Sequence, residues 1–323
     1  VDPQPREIAE RALFHRHFLH QNTRLENEVI AMKKIPEVRD DFALRGRCEV
    51  YRADLKSMAS ANRLHQGVNL RGHQVWATYE HFQDLLVIRG IPAEEELLDI
   101  VDFFSTNSDP NIFKERHALS QSEFRKLIQP LIRTGHIVQD FRGGFRTVTP
   151  NLSIDPIELR KEYLRKMVKE YPIITLKQFM RLAGTPFKPE EIKSVLNSFE
   201  EDGTLIKGFL IEDLHEVCWG RKELLDEAKD IRPIRDFVLP PSDPISPYFA
   251  DVLKEKFGFG SAYLVFKNAE PVAAFKANTR NKIIEVKDYE GSEKGWRIVK
   301  EFAWEHQMPL ETELRIGGKK MTR

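Results

Sequence analysis

Between Phe237 and Tyr248 the chain carries prolines at 240, 241, 244 and 247. Each removes an amide donor and fixes a φ angle, so the stretch cannot pass through a helix interior or a central strand. A stiff, extended connection is expected. It parts a leading region of helices with short two-stranded wings from a trailing region that reads as a small sheet with one closing helix. Within it Asp243 precedes Pro244, whose ring confines the residue before it to extended backbone. A carboxylate aimed by the backbone in this way suits a group that must approach a reacting centre accurately. The alternative is a turn in which the same Asp accepts nearby amide hydrogens.

Charge is balanced, with Lys+Arg 50 and Asp+Glu 50 in 323 residues. A nonspecific polycation is thereby disfavoured, and any nucleic-acid surface has to be made locally by separating charges in space. The length allows two or three domains, with 21 phenylalanines to fill their cores. Cys48 and Cys218 make neither a disulfide framework nor a repeated metal-binding pair, which points to a reducing compartment. No long apolar run is present, so no membrane partner is expected, and the location expected is cytoplasmic, nucleoid-associated in a prokaryote. His15, His17 and His20, and separately His215 with Cys218, lack the further ligands that a metal needs. No metal or cofactor is expected. No glycine-rich loop ends in Gly-Lys-Ser/Thr, so the chain is not itself an ATP-driven motor. It opens on Val1, which is compatible with a processed product or a piece of something longer.

The chain reads as four consecutive regions: 1–114, helical and winged-helix-like; 115–172, a winged helix and a connecting helix; 173–234, a second winged helix and linker; and 235–323, strand-rich. The fold class expected is multidomain and mainly α, with tandem winged helices and a small C-terminal α+β or barrel-like domain. Apolar residues place amphipathic helices over residues 6–33, interrupted near Gln21-Asn22-Thr23, and extend a helical pattern through Trp76, Tyr79, Phe82, Leu85 and Leu86. Residues 42–55 read as a short strand giving way to a helix capped by Asp54. Asn107 to Asn111 reads as a loop.

Two later stretches share one plan. Phe124, Leu127, Ile128, Leu131 and Ile132 line a helix stopped by Gly135, followed by strands around Ile137–Phe141 and Phe145–Val148. Ile192, Val195, Leu196 and Phe199 line another, followed by Gly203 and a strand over 204–210. Helix, glycine stop, strand, turn, strand is the order of a winged helix, whose outward helix can enter a major groove. Arg125, Lys126, Arg133, Arg142 and Arg146 in the first unit, and Lys188, Lys193 and Lys207 in the second, are candidates for phosphate contacts. Alternatively, these cations solvate their helices beside Glu190, Glu191, Glu200 and Glu201.

With these units before it, the stretch from Phe237 to Pro244, joined by Phe257-Gly258-Phe259, resembles the winged-helix DNA glycosylases that excise alkylated bases and unhook crosslinks. Their fold also forms the C-terminal part of Lhr-type helicases. Leu44-Arg45-Gly46 followed by Tyr51-Arg52-Ala53-Asp54 is similar to that family's early strand before a helix. The resemblance implies duplex or damaged DNA as partner, a helicase or repair protein as a further one, and hydrolysis of the N-glycosidic bond of a damaged base. Asp243 is the first candidate for the catalytic carboxylate and Asp54 the second. The family's Gln-x-Gln or Gln-x-Asp element has no match in this sequence; Gln66 and Gln74 lie in the corresponding half at a different spacing. The alternative is a catalytically silent DNA-binding module or accessory subunit.

Overall fold

A computed structural model describes residues 3–17, 19, 24–48, 55–61, 64–151, 153–231, 235–280, 283–312, 315–316 and 319–320. The chain forms two compact units, each assembled from separate segments. A central unit takes Leu25–Lys169 and Phe179–Phe199, and a terminal unit takes Val1–Arg24, Glu170–Gln178 and Glu200–Arg323. Two five-stranded sheets, one of three strands and a two-stranded pair accompany the helices. The architecture is therefore mixed helix and sheet, not the mainly α class expected.

The five-stranded sheet of the central unit runs in the order Glu37–Val38, Gln74–Ala77, His65–Val68, Ile137–Gln139, Phe145–Thr147. Every neighbouring pair is antiparallel. Gln74–Ala77 corrects the helical pattern expected through Trp76. The Thr78 side chain accepts the His81 amide and so starts the helix Tyr79–Arg89 after the strand, not before it. The loop expected at Asn107–Asn111 is also too long, because Asp109 caps a helix, Pro110–Arg116, with Pro110 at its start. Phe104, Phe113, Phe124 and Phe145 meet mostly edge-on or tilted, with ring centroids 5.5–6.3 Å apart. They join Leu97, Ile100, Ile128, Leu131 and Ile137 in one core.

The helix Gln121–Thr134 owes its position to signals at both ends. Ser120 and Glu123 exchange the two bonds of a capping box. Gly135 ends the helix at φ 86°, a conformation that an L side chain resists. Pro130, inside the helix, removes one amide from the ladder.

In the terminal unit the larger sheet runs Leu310–Thr312, Ile283–Gly291, Glu270–Arg280, Tyr263–Lys267, Phe237–Leu239. Leu310–Thr312 returns parallel to Ile283–Gly291 after the helix Glu293–Glu305. Among the described residues no pairing joins the two outer strands, so the sheet is open rather than barrel-like. Lys267 and Glu270 are joined by a two-residue turn with Asn268 at φ 50° and Ala269 at φ 71°. Behind the sheet, Phe14 lies 4.8–5.7 Å from Phe237, Phe249 and Phe266. The three-stranded sheet of this unit has the order Ile173–Thr175, Cys218–Gly220, Ile206–Gly208.

The proline-rich stretch is folded instead of extended throughout. Phe237–Leu239 is an edge strand, where the prolines that follow interrupt no ladder. Beyond it the Asp243 amide donates to the Pro240 carbonyl at 3.0 Å and the Ser246 amide to the Asp243 carbonyl at 3.0 Å. A 3-10 turn, Ser246–Phe249, then leads into the helix Ala250–Phe257. Pro247 sits at the start of that turn, the one helical position that suits its fixed φ and missing amide.

Candidate nucleic-acid interface

On the helix Gln121–Thr134, Gln121, Arg125, Gln129 and Arg133 recur every fourth residue and so share one face. The adjacent sheet supplies the facing wall by register. Gln66 pairs with Gln139, and Val68, two residues along the same strand, pairs with Gln74. Alternate residues of a strand point to one side, so Gln66, Gln74 and Gln139 come to the same face of the sheet. Helix and sheet enclose a groove of about 490 Å³ lined by these residues, by Phe124, Ile128 and Ile132, and by Phe145 and Gly143 of the hairpin. Five glutamines and two arginines line it, and among the described residues no Asp or Glu does.

The opposite face of the sheet is packed. A Cβ placed on Gly67 would stand 2.6 Å from Cε1 of Phe82 and 3.0 Å from Cγ1 of Val138. Between the strands of Gln66 and Gln74, the turn is held by a polar network. Asn69 accepts the amides of Arg71 and His73 at 3.1 and 2.9 Å and donates to Glu37 at 2.6 Å. Glu37 also meets His81 at 3.3 Å and Arg71 at 3.5 Å. Burial pushes the Glu37 carboxyl upward, but the bond from His81 and the Arg71 charge outweigh it and hold the group below the usual carboxylate range. This network fixes the hairpin that brings Gln66 and Gln74 together.

Arg125, Lys126, Arg133 and Arg142 are exposed, and none of their side chains has a hydrogen bond or ion pair among the described residues. Arg142 lies in the hairpin turn that Asp140 shapes by accepting the Arg142 and Gly144 amides, both at 2.8 Å. Arg146 lies 3.8 Å above the ring of Tyr79, whose hydroxyl donates to the Thr147 carbonyl at 2.9 Å. Buried His65 packs edge-on against the same tyrosine. Burial, with the Arg146 charge, lowers its pKa and favours the neutral ring.

The remaining candidates lie elsewhere. Lys188 and Lys193 are exposed on and beside the helix Pro189–Glu201. Lys207 pairs with Glu200 at 3.4 Å and lies 5.3 Å from the ring centre of Trp219. Asp243 is in the terminal unit, only 2% exposed, where its carboxylate accepts the Ile245 amide at 3.0 Å. Asp54 is outside the described residues. Reading the sequence for charge passes over Gln121, Gln129 and Gln139, because a glutamine carries none. Their four-residue and cross-strand spacing is the signal that could have found them.

No protein-family model matches this sequence, and no curated protein sequence does. Among solved structures the chain is similar to Streptomyces sahachiroi DNA glycosylase AlkZ, with a TM-score of 0.68 and 10% identity. The likeness covers 96% of this chain and 100% of the other. The chain thus shares the fold of a DNA glycosylase over nearly its whole length.

Proposed function

We propose that this protein binds DNA and hydrolyses the N-glycosidic bond of a damaged base. The observation that carries the reading is the groove: guanidinium and amide groups line it, and among the described residues no carboxylate opposes a phosphate there and the cations around it are unpaired. The likeness to a DNA glycosylase supports the same reading. Arg125, Lys126, Arg133 and Arg142 neutralise phosphates, while the helix Gln121–Thr134 and its hairpin act as the DNA-facing part of a winged helix. Residues 173–234 make the second winged helix and linker of the pair, by their order of strand, two helices and hairpin.

In the reaction the bond between C1′ and the base nitrogen breaks, water adds its oxygen to C1′, and its proton leaves with the base or to solvent. Gln66, Gln74 and Gln139 hold the extruded nucleotide and orient that water through their carbonyls. Among the described residues the groove presents no acid to protonate the departing base, which suits lesions whose glycosidic bond is already weakened. Asp243, which belongs to the terminal unit, remains the proposed catalytic carboxylate, a role independent of this groove.

The second reading, a DNA-binding module or accessory subunit of a helicase or repair complex, is favoured by the burial of Asp243 and its bond to Ile245. A panel of labelled duplexes, each with one damaged base, separates the two by abasic-site formation. Excision of at least one lesion is expected; salt-sensitive binding with no excision across the panel leaves the module. If Asp243 is the catalytic carboxylate, Asp243→Asn melts near the parent temperature and excises roughly a hundredfold more slowly. If it serves the turn alone, that variant excises at the parental rate once folded.

A further inference from the structure

The terminal unit contains a cavity of about 110 Å³ whose lining includes Arg6, Glu10, Thr175, Gln178, Glu216 and Asp251. Its size admits a few heavy atoms, well below the roughly 300 Å³ at which drug-sized pockets begin. Glu10 belongs to the helix Arg6–Arg16 and is 3% exposed, yet among the described residues its carboxyl has neither a hydrogen bond nor an ion pair. Burying a carboxyl without a partner is costly, and it is retained where something else completes the site. Several of the other polar groups at the cavity are already committed. Gln178 accepts the Thr175 amide at 2.9 Å and donates to the Tyr248 carbonyl at 3.2 Å. Tyr248 donates its hydroxyl to Ile173 at 3.0 Å, and Asp251 pairs with Lys177 at 2.8 Å. Glu216 and Glu255, both exposed, add negative charge at the cavity.

We propose that this cavity binds a small organic cation of the guanidinium or amidinium class, with Glu10 as its carboxylate partner. A planar cation with several N–H donors can bond a carboxylate with two parallel contacts, which a point-charge ion cannot do. The excess of carboxyl groups over Arg6 sets the sign, and it disfavours a phosphate. Burial pushes the Glu10 carboxyl up to about 8; Arg6 and Lys256 pull it down, while Glu270 and Glu7 raise it further. At neutral pH the empty site is therefore mostly protonated, and a bound cation displaces that proton to solvent. Affinity should rise by up to tenfold per pH unit towards pH 8 and level off above it.

Titration calorimetry of the full chain with guanidinium and with acetamidinium at non-denaturing concentrations, cations small enough for the cavity, in two buffers of different ionisation enthalpy, tests this. Urea serves as the neutral counterpart of the guanidinium group. Saturable binding of at least one cation is expected, with release of up to one proton per cation at pH 7, and Glu10→Gln should weaken it at least tenfold and remove the pH dependence. No saturable binding of either cation, equal binding of urea, or full affinity in the variant would overturn the proposal. Folding of the variant is checked by its melting curve. Because the parent carboxyl ionises more readily unfolded than folded, its contribution to stability falls as pH rises from about 4.5 to about 8. Glu10→Gln should then melt above the parent at pH 9, with that difference vanishing at pH 4.

Discussion

The hairpin Ile137–Gln139 with Phe145–Thr147 and the hairpin Ile206–Gly208 with Cys218–Gly220 both follow a helix that ends near a glycine in positive φ. Their surroundings differ in how the cations are used. Beside the first, Arg125, Lys126, Arg133 and Arg142 have no protein partner among the described residues. At the second, Lys207 is taken by Glu200 and by the face of Trp219. The helix before the second hairpin spends its charge on scaffolding, since Glu191 pairs at 2.8 Å with Arg160, which also bonds the Ile88 and Pro186 carbonyls. Counting basic residues near a hairpin therefore does not identify a nucleic-acid surface. What matters is which of them remain unpaired, because only these release counterions from DNA without first giving up a partner.

The largest effect expected falls on chemistry. Gln66→Ala should lower single-turnover excision by roughly a hundredfold, on the scale of losing one positioned polar group, while duplex affinity stays within about threefold of the parent. Equal losses in rate and affinity would instead make Gln66 a binding residue. Next is the triple variant Arg125→Ala, Arg133→Ala, Arg142→Ala. Its slope of log affinity against log salt should fall by about three, near 0.9 for each phosphate no longer neutralised. Lys207→Ala, by contrast, removes a cation already held by Glu200 and the face of Trp219 and should leave that slope unchanged; a fall of about 0.9 in filter binding at several salt concentrations would erase the contrast between the two hairpins.

Gly67→Ala tests the packing that presents the glutamines. Phe82 and Val138 must yield to the added methyl, so thermal or urea unfolding should show a loss of about 1–3 kcal/mol. The smallest effect is a near absence of change. His65 and His136 are both held below their ordinary pKa by burial, with the charges of Arg146 and Arg89 respectively adding to it, and stay neutral as pH rises. Duplex affinity should then vary less than about twofold between roughly pH 7 and 8.5.

Much of the part proposed to face DNA was legible because it rests on local signals. Ser120, Glu123 and Gly135 delimit one helix, and the alternation around Gly143-Gly144 marks its hairpin. The strands His65–Val68 and Gln74–Ala77 that complete the groove were not legible, for they are short and carry polar residues on the groove face. Gln66 and Gln74 are eight positions apart in the sequence, and it is the pairing of Val68 with Gln74 that makes them neighbours. At Pro247 the rule that proline breaks helices pointed to extended chain, whereas the position proved to be a helical start, where proline is favoured. The parallel return of Leu310–Thr312 depends on a crossover through an entire helix, which no local pattern announces.

The segmented make-up of the terminal unit bears on how the protein is made. Phe14 is synthesised before the central unit, yet Phe237, Phe249 and Phe266, the rings that bury it, are synthesised after that unit. During synthesis the whole central unit emerges while the helix Arg6–Arg16 still lacks its neighbours. Such long-range closure is slow and leaves apolar surface open for an extended time. The nascent chain consequently carries the aromatic face of this helix uncovered while the central unit is made, a natural target for a chaperone until Phe237, Phe249 and Phe266 follow.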